Sequence, residues 1–95
     1  MHVTIMGKRW EWKVVPRSSL PRDRNGENCD GLCDPPDVKG KRLKFAHDLT
    51  GRNELETGIH EMLHACGWHI DEPFVEQAAH DIARILWNMG WRKQP

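Results

Sequence analysis

No run of apolar residues in this 95-residue chain is long enough to cross a bilayer. No apolar segment follows Met1 either; residues 2–6 alternate like a short strand, so no cleaved export signal is expected. An excess of one charge is missing too. The 14 basic and 14 acidic residues balance, which leaves bulk electrostatics pointing to no nucleic-acid and no membrane partner. Cysteine is scarce and odd in number, at three. That argues against a secreted disulfide scaffold and fits a reducing cytoplasm. Chain length allows a single small domain over residues 1–95, with a core that buries only about two-thirds of the unfolded surface.

Against these absences stands one chemically specific stretch, His60-Glu61-Met62-Leu63-His64. Residues four apart share a helix face, so His60 and His64 can offer two imidazoles to one metal ion. Glu61 lies beside them, placed to take a proton from a metal-bound water. Two nitrogen ligands, a base and an open coordination position are what a hydrolytic zinc site requires.

The surrounding pattern predicts a helix over 53–67. Asn53 can cap it with Glu56 three residues on, and Leu55, Ile59, Met62, Leu63 and Cys66 form one apolar stripe. Gly67 supplies the stop. Gly58 is costly in mid-helix and marks a close backbone approach. A second helix is predicted over 71–90, with Asp71 as cap and Pro73 in the first turn. Its stripe is Val75, Ala78, Ala79, Ile82, Ile85, Leu86 and Met89. So short a connection folds the helices into a hairpin and brings a third ligand near His64. On a helical wheel Glu72 lies nearer the packed seam than Glu76 and is favoured; His80 lies further round. Glu76 also suits an ordinary first-turn carboxylate stabilised by the helix dipole. His69 falls one residue early for the H-E-x-x-H-x-x-G-x-x-H spacing, whose third histidine position holds Ile70.

Upstream, Val3–Met6 and Arg9–Val15 read as a hairpin about Gly7-Lys8, with Trp10, Trp12 and Val14 alternating with charged residues. Lys41–Phe45 reads as a third strand, basic on one face, as an exposed edge strand is written. Trp10, Trp12, Trp87 and Trp91 are expected to pack sheet against helix. Between the strands, residues 16–40 form a loop long for so small a domain. Cys29 and Cys33 within it give a weak metal signal, since no second ligand pair follows at the usual spacing. Cys33 is considered as a thiolate able to swing onto the open zinc position, with a free loop thiol as the alternative. Cys66 reads as a small buried residue.

Three strands followed by a helix carrying H-E-M-L-H and a second helix opening with a glutamate resemble the zincin metallopeptidases. The chain is most similar to their smallest gluzincin-type members and to short phage-encoded proteins of that class. The resemblance runs through Gly7–Trp10, Cys33–Pro36 and Leu55–Ala65 and covers most of the chain, but only the pentad is chemically specific. It implies an α+β fold, a three-stranded, mostly antiparallel sheet packed on two helices, with residues 1–46 holding the sheet and long loop. It implies one Zn2+ per chain on His60, His64 and Glu72, and Glu61 as general base in peptide-bond hydrolysis. A peptide or protein substrate would lie along Arg42–Ala46, in the cytoplasm of a bacterial or phage-infected host cell. The chain departs from some relatives in having no tyrosine to stabilise an oxyanion. A zinc-stabilised module that binds peptide without turnover is the alternative function.

Overall fold

In a computed structural model that describes residues 1–94, the chain runs β1 (His2–Ile5), β2 (Lys8–Val15), a single 3-10 turn at Arg17–Ser19, β3 (Gly31–Cys33), β4 (Arg42–Ala46), α1 (Gly51–Cys66) and α2 (Glu72–Asn88). Met6 and Gly7 both take positive φ, 52° and 74°. This twist lets a two-residue turn join β1 to β2 with Ile5 opposite Lys8.

The sheet has four strands in the order β1-β2-β4-β3. β1 and β3 run antiparallel to their neighbours, but β2 and β4 run parallel, in the register Trp12 to Leu43 and Val14 to Phe45. The α+β expectation is met in outline, and two of the three strand pairings are antiparallel, with one correction. A fourth strand, β3, lies inside the segment read as loop. In consequence Arg42–Ala46 is an interior strand and β3 is the edge. The basic residues of β4 mark one uncovered face of the sheet, not an uncovered edge. Leu43 and Phe45 point into the core, while Arg42 and Lys44 alternate to the other side, and a one-side-solvated interior strand carries the same pattern.

The long segment before β4 is tied down by polar contacts. The Arg17 guanidinium holds Asp48 at 2.8 Å and Asp30 at 2.7 Å. Those contacts keep the guanidinium firmly protonated and hold the Asp48 carboxyl below its usual range. Asp23 Oδ1 accepts the amides of Asn25 and Glu27, and Ala46 N–H donates to the Asp30 carbonyl.

One core layer sits between sheet and helices, with Trp10, Leu43, Phe45 and Ala65 at its centre. A second lies between the helices, where Ile59 meets Ala79 and Ala83. These small alanines let α1 and α2 approach closely. The predicted stripe of α2 is right at its middle and too wide at its margin. Val75 and Ala79 are buried, but Ile82, Ile85 and Met89 stay largely exposed. Trp10 is fully buried and Trp12 stacks on Phe45 at 4.2 Å. Trp87 carries the Arg92 guanidinium 3.4 Å above its ring. Trp91, by contrast, is exposed. Helix α1 begins earlier than predicted, with Thr50 as N-cap and Asn53 inside the helix. Asp71 caps α2 as expected, its carboxylate accepting the Phe74 amide. No helix among the described residues is long and apolar enough to cross a membrane.

Candidate metal centre

His60 and His64 stand one turn apart on α1, their ring centroids 5.0 Å from each other. Only Gly67–Asp71 separates the two helices, so the first residue of α2 arrives opposite them. There the Glu72 carboxylate spans both rings: Oε1 lies 2.9 Å from His60 Nε2 and Oε2 lies 2.8 Å from His64 Nε2. One ligand atom from each residue lies within 4.8 Å of the other two. Two imidazoles and one carboxylate suit a divalent ion of the zinc type and leave a fourth position free. In the geometry described, each Nε2 meets the Glu72 carboxylate directly, across the place such an ion would take.

Glu61 projects from the next position round the helix, into the space beneath β3. It is 7% exposed and makes no side-chain hydrogen bond or ion pair among the described residues. Burial, and then the charge of Glu72, pushes its carboxyl from the usual 4.5 up to about 7. A carboxylate titrating near neutrality, unengaged and beside a group that could hold a metal ion, is suited to accept and return a proton. Gly31 on β3 makes this burial achievable. A Cβ there would lie 3.0 Å from Glu61 Cγ and Oε2 and from Thr57 Cγ2. Only a residue without a side chain lets the edge strand pass so close over α1.

The groups open on a cleft of about 830 Å³ between β3, α1 and the start of α2. Trp68 forms part of its rim, tilted against His64 at 6.3 Å. Glu76 lines the same cleft but does not reach the histidines. His69 is exposed in the interhelical turn, and His80 Nδ1 pairs with Glu56 Oε1 at 3.1 Å. Cys33 faces the core, its Sγ 3.4 Å from the Asp34 carbonyl. Burial and the nearby Glu61 charge raise its thiol to about 12, and the residue also borders the cleft. Cys29 lines the cleft with its thiol also raised, chiefly by burial. Cys66 is exposed rather than buried.

Sequence reasoning missed three residues that complete the cleft around the histidines: Gly31, Thr57 and Trp68. The only signal for Gly31 was a glycine between two cysteines in a polar stretch, which reads equally well as a turn. No family model, curated protein or solved structure matches this chain, so the reading of the site stands on its own residues.

Proposed function

We propose that the chain is a zinc-dependent peptidase of minimal zincin type. One observation carries the reading: two imidazole nitrogens and a carboxylate converge beside a buried glutamate that has no side-chain partner among the described residues. His60, His64 and Glu72 would hold one zinc ion per chain. When bound, zinc would supply Lewis-acid polarisation of a substrate carbonyl and a lowered pKa for water.

The remaining steps belong to the chain. Glu61 accepts the proton of the attacking water and delivers it to the leaving amine. The close approach of Gly31 helps to bury that side chain, and burial is what poises its carboxyl near neutrality. Trp68 stands beside the His64 ring at the cleft rim, tilted to it at 6.3 Å. The substrate backbone lies along β3, whose outward N–H and C=O groups have no strand beyond them, and not along Arg42–Ala46, which is flanked on both sides.

Protein stripped of metal and reloaded with zinc should cleave an unstructured peptide, and His64→Ala should lose zinc and cleavage together. Zinc uptake with no cleavage of any peptide, identical in the parent and in Glu61→Gln, would assign the chain instead to the non-hydrolytic peptide-binding class.

A further inference from the structure

Six carboxylates line the cleft, those of Asp23, Asp30, Glu56, Glu61, Glu72 and Glu76, and no lysine or arginine does. In a chain with equal numbers of acids and bases, that is a segregation of charge. Cations of β4 lie on the uncovered side of the sheet, away from the helices. Three of the six acids are answered from within the chain: Glu72 by the two histidines, Glu56 by His80 and Asp30 by Arg17. The other three are not. Asp23 accepts only backbone amides of its own loop, Glu76 has no side-chain partner among the described residues, and Glu61 is buried without one. An unpartnered buried carboxylate in the cleft wall points to a ligand that enters from the cleft. A divalent ion on the triad would leave Asp23 and Glu76 uncompensated, one on the loop wall and one on α2. Both side chains are exposed where they line the cleft, so each can meet a cation that enters it.

Resting on the peptidase reading, we infer that the cleft selects cationic substrates. They are extended peptides with a lysine or arginine beside the bond to be cut, its charge met by Asp23 and Glu76.

The test uses zinc-loaded Glu61→Gln protein and two dye-labelled peptides of equal length, Gly/Ser/Leu chains carrying several lysines or several glutamates. Fluorescence anisotropy should give the lysine peptide at least about tenfold tighter binding at low salt, with the ratio shrinking as salt rises. Adding Glu76→Lys with Asp23→Asn, which keeps the acceptor for the loop amides, should abolish or invert the ratio. Glu76→Gln alone, the milder change, should reduce it. Equal binding of the two peptides, tighter binding of the glutamate peptide, or a preference indifferent to these substitutions would overturn the inference. Incubation of both peptides with the parent protein reads the peptidase separately. If neither is cut while the binding ratio holds, hydrolysis is the part that fails and charge selection stands.

Discussion

Glu61 is the residue on which chemistry and stability meet. Glu61→Gln keeps the shape of the side chain and removes the proton acceptor. Turnover should fall by about 10²–10⁴-fold while zinc content is retained; loss of the metal or of the fold in that variant would make Glu61 structural. The same carboxyl gives the metal-free protein a pH dependence. Its folded-state value is raised, from 4.5 to about 7, so between those values the folded chain binds more protons than the unfolded one. Stability therefore falls as pH rises through that window and levels off above it, by on the order of 3 kcal/mol for this group. Thermal melts of metal-free protein at about pH 5 and about pH 8 should show the slope, and Glu61→Gln should flatten it. At the ligand level, Glu72→Ala should weaken zinc binding far more than Glu76→Ala, since only Glu72 reaches both imidazoles. The reverse order in a competition titration would mean α2 is rotated from the position described.

At the scale of elements, the two glycines that touch α1 behave oppositely. A Cβ on Gly58 would meet the Trp12 ring at 3.7 Å, an ordinary contact, so Gly58→Ala should stabilise the helix by up to about 1 kcal/mol in denaturant unfolding. Gly31→Ala should destabilise and displace Glu61, because its nearest neighbours leave no room. Both helices were legible in the sequence because their apolar spacing persists over several turns and Asp71 caps the second. The convergence of His60, His64 and Glu72 was legible for the same reason: the spacing of His60 and His64 is local, and the short helix connection confines the start of α2. The β3 strand was hidden. Three residues are too few to show a period of two, and Gly31 and Cys33 carry no strand signature. The parallel pairing of β2 with β4 was hidden as well, since alternation along a strand reports its faces and not its neighbours. The loop that carries β3 is fastened by Arg17, and Arg17→Ala should speed hydrogen exchange at Gly31–Cys33 relative to β4. Unchanged exchange there would show that strand pairing alone holds the edge.

For the molecule as a whole, a radius of gyration of 13.2 Å, against roughly 12 Å for a compact chain of this length, describes a small core with an open cleft. A ligand that ties α1 to α2 should then add visibly to stability. Zinc at about 100 times its Kd would contribute about 2.7 kcal/mol by mass action, and chelation should lower the melting temperature accordingly. That linkage and the cleavage chemistry both depend on a single claim, that His60, His64 and Glu72 together hold a metal ion. Calorimetric titration of metal-free protein with zinc tests it most directly. The account predicts about one zinc per chain, and loss of the binding in His64→Ala. Absence of binding, or binding that His64→Ala leaves unchanged, would contradict it.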